Sequence, residues 1–356
     1  MSKIFKIAII GGGWFGCHIG NEIKNTFKKN VRLTIFDEKK DIFNGASGYN
    51  QNRLHLGFHY PRSKKTRIQS KLGFYKFIKK YPKFSKEIKN NIYAISSSKK
   101  TYINFEQYCK ALNSTGLKYN IHSKNDFNLK NVEGIISCKE RQVSTDIAKN
   151  YFKTRLKKYL VLNYKVKKIK KKNKKIFIND YKEEFDLIIN CSWQKFQIFK
   201  TWNTIYEPCL TFLYKQKKKI NEDCLTIMDG PFFTLYKWNK LFYNLYSVKN
   251  SRLKKYKSSD KSENYLKKFQ KSEISNLRKK IELDFVKYYP DFKKKFKYVK
   301  YISTVRTIKI NNKKDDDRSY DIHYRDNQIE VLSGKIDHIC LVSEKINRWL
   351  KKKVEY

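Results

Sequence analysis

Residues 7–20, IAIIGGGWFGCHIG, decide the fold that this chain is expected to adopt. Four apolar residues run into three consecutive glycines, and this predicts a buried strand, a tight turn and a helix. Gly11, Gly13 and Gly16 have the G-x-G-x-x-G spacing, in which the glycines permit the turn, the approach of a pyrophosphate and close packing of helix on strand. The N–H groups and the dipole at the helix start favour phosphate charge, so the stretch predicts a dinucleotide site.

A second strand and an acidic pair support this interpretation. Residues 31–36, VRLTIF, read as a strand, and Asp37 and Glu38 stand at its end. Asp37 follows Gly16 by about 20 residues, where an acid that binds a ribose hydroxyl is expected. The alternative is that the glycines serve packing alone and that the acid is a solvated strand end, but the combination favours dinucleotide binding.

Length and composition indicate a globular protein. The chain has 356 residues, of which 40% are hydrophobic and 15% aromatic, so it can bury a sizeable core and form two domains. No apolar run reaches the length of a membrane span. Because the first residues lead directly into a strand, without a basic and apolar leader, a cytoplasmic protein is expected.

The net charge of +47 raises the question of a nucleic-acid partner. Lysines are spread along the whole chain, which is typical of a compositional bias, and the densest run, KVKKIKKKNKK at 165–175, reads as a hairpin edge. No specific nucleic-acid partner is therefore expected, although the charge attracts polyanions and speeds the capture of anionic substrates. No C-x-x-C motif occurs, so neither a disulfide framework nor a metal site is predicted from the seven cysteines at 17, 109, 138, 191, 209, 224 and 340.

The rest of the chain predicts two sheets. Residues 41–59 are rich in Gly, Asn and Ser and suit a segment that crosses over a cofactor, and a helix follows over 64–80. The apolar strand FDLIINCSW at 185–193 is expected to return to the central sheet beside the first strand. Aromatic strands predict a second sheet, at 207–214, 226–236 and 242–248. The chain ends in a strand over 328–332, an SGK turn and a last helix over about 337–351.

These blocks together resemble the FAD-dependent oxidoreductases of the D-amino-acid oxidase superfamily, in the branch with glycine and sarcosine oxidases and L-2-hydroxyglutarate oxidase. The resemblance covers most of the chain and is carried by IAIIGGGWFG with Asp37, by GASGYNQNRLHLGFHYPRS at 45–63, by FDLIINCSW at 185–193 and by LSGKIDH at 332–338. Cys191 and Ser192 replace the usual Ala and Gly, and Lys335 stands where His is commoner. The subfamily and the substrate therefore stay open.

The resemblance implies an α/β fold, which is α+β when the whole chain is considered. A Rossmann-like FAD-binding domain carries an inserted substrate domain with an antiparallel sheet. The discontinuous FAD-binding domain is expected over 1–80, 140–200 and 300–356, and the substrate domain over 81–139 and 201–299.

The resemblance also implies FAD as the cofactor and a path for it. The adenosine end is expected at the glycines and Asp37, the segment at 46–55 runs toward the flavin, and Val166 meets the adenine through its backbone. A helix N-terminus and Lys335 would face the flavin pyrimidine, although Lys335 could equally be one more surface lysine. The expected cofactor contacts are Gly11, Gly13, Trp14, Phe15, Gly16, Asp37, Glu38, Ala46, Ser47, Asn50, Asn52, Arg53, Leu54, His55, Val166, Cys191, Ser192, Gly334, Lys335 and Ile336.

The implied reaction oxidises a C–N or C–O bond of a small amine, amino acid or hydroxy acid by hydride transfer to flavin. His55, Arg306 and Lys335 are the catalytic candidates. Arg306 suits a carboxylate, so an anionic substrate is expected, with a structural ion pair as the alternative. A packed histidine is the alternative for His55. The candidate substrate contacts are Tyr60, Arg62, Tyr236 and Tyr246.

The electron acceptor stays open, and two other functions compete. One is a flavoenzyme of sugar or surface-glycan metabolism, because the aromatic second sheet could stack on a sugar. The other is a polyanion-binding protein on a flavin fold, which only the lysine surplus supports.

Overall fold

The computed structural model describes residues 4–218, 223–230, 232–310 and 316–354. The strands in these ranges are β1 (Phe5–Ile10), β2 (Val31–Phe36), β3 (Arg53–Leu54), β4 (Ser85–Glu87), β5 (Asn91–Ser96), β6 (Tyr119–His122), β7 (Val132–Cys138), β8 (Arg141–Val143), β9 (Leu160–Val161), β10 (Ile169–Lys172), β11 (Lys175–Ile178), β12 (Leu187–Asn190), β13 (Thr204–Gln216), β14 (Cys224–Met228), β15 (Phe233–Lys237), β16 (Tyr243–Ser247), β17 (Phe296–Lys309), β18 (Asp321–Arg325) and β19 (Gln328–Leu332). The α-helices are α1 (Trp14–Phe27), α2 (Lys64–Lys80), α3 (Phe105–Asn113), α4 (Thr145–Leu156), α5 (Ser259–Lys268), α6 (Lys271–Val286), α7 (Phe292–Lys295) and α8 (Ile339–Val354).

The first sheet has six strands in the order β18-β19-β12-β1-β2-β9. β1 lies between β2 and β12 and is parallel to both, so the strand predicted at 185–193 does return beside the first strand. Ile7 and Ile9 of β1 pack into the core on the side of α1 and α8, while Ala8 and Ile10 pack on the opposite face. Because β1 is buried on both faces, its run of apolar residues carries no polar alternation.

The second sheet has eight strands in the order β17-β13-β16-β15-β14-β5-β7-β6. The neighbours in it are antiparallel except for β14 and β5, and α6 packs Ile281 and Phe285 against one face. The single strand predicted at 226–236 is wrong, because β14 and β15 form an antiparallel pair. The chain turns at Gly230, where a Cβ would lie 2.6 Å from the carbonyl oxygen of Lys100. Position 231, inside that predicted strand, lies outside the described residues.

The α/β fold class is confirmed, whereas the division into domains stays a prediction. β17 crosses the predicted boundary at 300 and pairs with β13 along its length, from Thr204–Lys309 to Gln216–Phe296. The three-stranded sheet β3-β8-β4 also draws β4 from the predicted substrate domain and β3 and β8 from the other. The sheet pairing thus connects the two predicted domains through more than their linkers.

The lysine-rich run at 165–175 forms part of the hairpin β10–β11, as predicted. Its lysines are mostly exposed, while Ile176 and Ile178 on β11 are buried under the first sheet. Charge on the outer face of a two-stranded edge is a common way to prevent pairing with another chain. None of the helices in the described ranges has both the length and the hydropathy needed to cross a bilayer.

A buried histidine in α1 joins three helices of the first layer. The ring of His18 lies 2.6 Å from the hydroxyl of Tyr81, which follows α2, and 2.8 Å from the hydroxyl of Ser343 in α8. Both ring nitrogens thus have hydrogen-bonding partners while the residue is almost fully buried. Burial lowers the pKa of His18 to about 3, so the imidazole is neutral in the folded protein.

We expect His18 to make the protein less stable as the pH falls. Because the folded pKa of about 3 lies below the ordinary value of 6.5, protons bind the unfolded chain first. The free energy of unfolding should fall below about pH 6.5, by up to about 1.4 kcal/mol per pH unit for this one proton. Denaturant titrations between pH 7 and pH 5 give the free energy of unfolding as a function of pH. The slope of this dependence should be smaller in His18→Gln than in the wild type, by about one proton.

The control for this experiment is His323→Gln, which removes a half-buried imidazole that packs against Phe199 and Trp202 at the edge strand β18. Its pH dependence is measured in parallel, so that the loss of the buried imidazole is compared with the loss of a half-buried one. An unchanged slope in His18→Gln would contradict the neutral state of the buried imidazole.

Candidate active site

A cavity of about 1050 Å³ is lined by residues of both large sheets and of the segments between them. We call one part of its wall the glycine region, defined by Gly11, Gly13, Asp37, Ser47 and Val166. We call another part the cationic region, defined by His55, Tyr60, Arg62, Arg306 and Lys335. All ten residues line this single cavity, so the structure brings together predicted residues that lie far apart in the sequence.

The glycines of the turn after β1 leave no room for side chains. Gly11 has a φ of +103°, and its N–H donates to the carbonyl oxygen of Phe36 at 2.7 Å. A Cβ at Gly13 would lie 2.6 Å from the Ser47 hydroxyl, which accepts a hydrogen bond from the N–H of Trp14 at 3.1 Å. A Cβ at Gly16 would lie 1.8 Å from the carbonyl oxygen of Gly11, so Gly16 serves helix packing and does not line the cavity.

The two acids after β2 have different surroundings. Asp37 accepts hydrogen bonds from the N–H groups of Gly12 at 2.6 Å and Lys39 at 2.8 Å. Burial raises the pKa of Asp37, against the effect of these two bonds. Glu38 instead lies 3.1 Å from the ammonium of Lys39 and 3.2 Å from that of Lys195. Burial would raise the pKa of Glu38, but Lys195 and Lys39 outweigh burial and lower it.

The segment from Ala46 to His55 borders the cavity only in part. The side chain of Asn50 donates to the carbonyl oxygen of Ser47 at 2.6 Å and accepts from the N–H of Asn52 at 2.5 Å, which folds the segment back on itself. Asn52 and Leu54 are buried and do not line the cavity, contrary to their predicted place beside the cofactor. The alternation of side chains in β3 turns Leu54 into the core.

Arg53 borders the cavity, but its guanidinium group is bonded elsewhere. It donates to Glu140 at 2.9 Å, to Thr226 at 2.9 Å and to Asn91 at 2.8 Å, and it lies 4.9 Å from the ring centroid of Tyr93. Both charged side chains of the Arg53–Glu140 pair are almost fully buried. The guanidinium group of Arg53, which was predicted to contact the cofactor, is therefore engaged in an ion pair with Glu140.

Lys335 is buried in the wall of the cavity. Its ammonium lies 3.4 Å from the carboxylate of Asp337 and 4.1 Å from the ring centroid of Tyr60. In the described residues it has no hydrogen-bond partner. Burial works against its charge, but Asp337 and Tyr60 outweigh burial and raise the pKa of Lys335, so the ammonium stays charged. The alternative of an exposed surface lysine is therefore wrong.

Two histidines lie next to this ammonium. The ring centroids of His55 and His59 are 5.0 Å apart, and that of His55 is 5.8 Å from Tyr60. The Nδ1 atom of His55 is 3.6 Å from a carboxylate oxygen of Glu140. Burial and the charge of Lys335 lower the pKa of His55, and burial lowers that of His59 further. Both rings therefore favour the neutral form at pH 7.

Arg306 on β17 faces the cavity from the second sheet. One of its nitrogens lies 3.5 Å from the Glu207 carboxylate, and another donates to the hydroxyl of Tyr246 at 3.2 Å. Arg62 likewise lies 2.8 Å from the carboxylate of Asp229. Tyr236 is not at the cavity: it is 1% exposed and packs 5.9 Å from the guanidinium of Arg53, which corrects its predicted contact with substrate.

The remaining predicted residues line the cavity as expected from their position in the fold, and some unpredicted ones join them. The predicted ones are Trp14, Phe15, Ala46, Cys191, Ser192, Gly334 and Ile336. Trp193 was not predicted, but it also lines the cavity, and a Cβ at Gly334 would lie 2.9 Å from its ring. The acids behind the cations were also missed, since nothing in the sequence near Glu140, Glu207 or Asp229 marks them.

The comparisons with known proteins agree on a flavoprotein. No protein-family model matches the sequence. The chain is 30% identical over 342 residues to the FAD-dependent monooxygenase FPY4 of Fusarium mangiferae. The aligned region covers 96% of this chain and 90% of that protein.

Two solved structures show the same fold at low sequence identity. The L-α-glycerophosphate oxidase of Mycoplasma pneumoniae, solved with FAD bound, superposes with a TM-score of 0.72 at 13% identity over 97% of this chain and 94% of that one. The glycine oxidase of Geobacillus kaustophilus superposes with a TM-score of 0.69 at 12% identity over 99% and 95%.

The chain therefore is an FAD-dependent oxidoreductase. Its fold is the one seen in the glycine oxidase and glycerophosphate oxidase structures, as expected from its resemblance to the D-amino-acid oxidase superfamily, and its cofactor is FAD.

The geometry of the cavity fits this cofactor. Its volume lies at the upper end of the range for small-molecule sites, about 300–1,000 Å³, which suits a dinucleotide. A Cβ at Gly11 or Gly13 would lie 2.8 or 2.6 Å from neighbouring atoms, so the absence of side chains lets a pyrophosphate approach the backbone closely. Buried donors of Gln51 and Lys335 face the cavity without hydrogen-bond partners in the described residues, as is expected where a polar ligand completes the wall.

We expect Gly13→Val to abolish the retention of FAD. The new side chain would start 2.6 Å from the Ser47 hydroxyl and fill the space beside the turn. The purified variant should be colourless, and fluorescence titration should show a loss of FAD affinity of at least about 100-fold, as about 3 kcal/mol of lost contacts requires. Gly20→Val is the control, because a Cβ there also crowds α1, at 2.8 Å from the Ile35 side chain, but lies outside the cavity. A yellow Gly13→Val protein would refute this placement of the cofactor.

Proposed function

We propose that the enzyme oxidises a C–N or C–O bond of a small anionic amine, amino acid or hydroxy acid. The observation that carries this proposal is the cationic region, where a neutral imidazole, a guanidinium and a buried ammonium line one cavity. FAD, when bound, supplies the hydride acceptor. The side chains of this chain then have to bind the acid group, take a proton and exclude water.

In this proposal the glycine region holds the adenosine and pyrophosphate end of FAD. The glycine turn and the N-terminus of α1 would face the phosphates, and Asp37 lies where a ribose hydroxyl is expected. Glu38, which is held by two lysines, also lines the cavity and stays a candidate contact of this end of the cofactor. Val166, buried at 6% exposure, offers its backbone to the adenine.

Arg306 would bind the acid group of the substrate. Its guanidinium is held by Glu207 and Tyr246 on the side of the sheet, and its side chain keeps 25% of its surface exposed. A planar guanidinium binds a carboxylate through two parallel hydrogen bonds. This arrangement supports an anionic substrate and gives Tyr246, like Arg62 and Tyr60, a place beside it.

His55 would act as the base and Lys335 as a fixed positive charge. A neutral imidazole nitrogen accepts the proton of the substrate N–H or O–H group while the C=N or C=O bond forms. Lys335 places an ammonium where the family resemblance expects the flavin pyrimidine, so it favours negative charge there.

We expect Arg306→Ala to weaken the binding of acidic substrates specifically. Loss of a desolvated charge pair costs about 2 kcal/mol or more, which is a rise of about 30-fold in half-saturating concentration. The measurement is anaerobic bleaching of bound flavin by a panel of amino acids, hydroxy acids and amino sugars. Arg278→Ala is the control, since Arg278 also pairs with a glutamate, at 2.6 Å, but lies outside the cavity. Equal effects of both variants would remove Arg306 from the site.

A second candidate function is monooxygenation, which the name of the Fusarium relative favours. The two reactions differ in the origin of the oxygen and in the electron donor. In the proposed reaction the substrate itself bleaches the flavin without added reductant, and no atom of O₂ enters the product. Reaction under ¹⁸O₂ followed by mass spectrometry should therefore show no label. A labelled product that forms only with an added reductant would establish the monooxygenase.

A further inference from the structure

Glu140 lies directly behind the candidate base and is bonded on both of its oxygens. It is fully buried and stands between β7 and β8. One carboxylate oxygen accepts hydrogen bonds from Arg53 at 2.9 Å and from the hydroxyl of Tyr93 at 2.9 Å. The other accepts from the N–H of Leu56 at 2.9 Å and lies 3.6 Å from Nδ1 of His55. One side chain thus contacts three of the four residues at positions 53 to 56.

We propose that Glu140 is a positioning residue that holds His55 in the Nδ1–H tautomer and presents its Nε2 atom to the substrate. The proposal rests on the proposed function for the role of His55, whereas the tautomer itself is a property of the protein alone. The geometry carries it, because the oxygen that faces His55 can only accept a hydrogen bond.

The charge of Glu140 is fixed by its surroundings. Burial alone would raise the pKa of Glu140, but Arg53, the nearby imidazole of His55 and the N–H of Leu56 outweigh burial and lower it well below its ordinary value. An ionised carboxylate has no proton to donate, so a neutral imidazole beside it must carry its proton on the near nitrogen. The 3.6 Å separation is longer than a hydrogen bond, and such contacts commonly tighten when a site is filled.

The other groups around His55 do not supply this function. His59, Tyr60 and Lys335 line the cavity beside it, and Asp337 lies beyond Lys335. Lys335 is a donor only, and the ring of Tyr60 meets that of His55 at 76°, edge to face. Within the described residues Nδ1 of His55 makes no hydrogen bond, and the carboxylate within 4 Å of it is that of Glu140.

The test is Glu140→Gln, which keeps the shape of the side chain and removes its charge. The amide oxygen should stay with Arg53 and Tyr93, since these are two donors against the single N–H of Leu56, so the NH₂ group turns toward His55 and Leu56 loses its acceptor. Nδ1 must then accept, and the proton moves to Nε2. In the ¹⁵N-histidine NMR spectrum of the holoenzyme, the signal that His55→Gln removes should report Nδ1–H in the wild type and Nε2–H in Glu140→Gln. An Nε2–H wild type, or an unchanged tautomer in the variant, would overturn the proposal.

The rate of flavin reduction gives a second readout. Without the negative charge, the acid limb of the pH profile should move to lower pH, because Glu140 favours the protonated imidazole. Since His55→Gln removes the base, reduction should slow by about 100-fold or more, and Glu140→Gln should add little to it. A fall in rate that is equal at all pH values would mean a merely structural role and would overturn the proposal.

Two further variants keep the outcome decidable. Glu282→Gln is the matched control, because Glu282 is also buried and pairs with an arginine, at 2.6 Å from Arg278, yet lies outside the cavity. The acid limb of the pH profile of flavin reduction should stay in place in this variant. If Glu140→Gln fails to fold because Arg53 loses its counterion, the double variant Arg53→Met/Glu140→Gln removes both charges, and its His55 tautomer decides. Should no compound bleach the flavin, the proposed function fails while the NMR result still decides on Glu140.

Discussion

The buried ion pair between Arg53 and Glu140 is the interaction on which the site depends. It joins β3 of the small sheet to β14 and β5 of the large one, through the additional bonds of Arg53 to Thr226 and Asn91. Both side chains are at most 1% exposed, so each charge loses its hydration and the pair is tolerable only because nearly every donor and acceptor is filled. Removal of one partner would leave the other unpaired, which costs about 3–5 kcal/mol. The pair therefore fixes the segment that carries His55.

The glycine turn could be predicted from the sequence because its constraint is steric and local. Gly11 needs a positive φ, and Gly13 and Gly16 need the absence of a Cβ, so the residue type itself records the geometry. The same holds for β1 and β12, because their unbroken apolar runs indicate that both faces of each strand are buried. These features predicted the dinucleotide site and its parallel strands, whereas FAD was implied by the resemblance of the longer blocks. The split of 226–236 into two strands was missed because the apolar residues on both sides of Gly230 read as one run.

The errors at the site concern the direction of side chains. Leu54 and Tyr236 are apolar or aromatic residues in predicted strands next to the cavity, and only the register of the sheet decides which face they take. Arg53 is two residues before His55, and the prediction placed both on the cofactor. Its guanidinium instead bonds to a residue 87 positions later. No local pattern announces such a pair, since Glu140 is one acid among 33 in the sequence.

One rule connects the residues that were found with those that were missed. Each basic group of the cationic region has a carboxylate behind it that is less exposed: 20% for Arg62 against 3% for Asp229, 25% for Arg306 against 3% for Glu207, 14% for His55 against 0% for Glu140, and 6% for Lys335 against 1% for Asp337. Glu140 and Glu207 lie behind the cavity wall, whereas Asp229 and Asp337 line the cavity together with their basic partners. The local charge is compensated although the chain carries +47, so the anionic substrate of the proposed function would be selected by the orientation of these pairs and not by the lysine-rich composition.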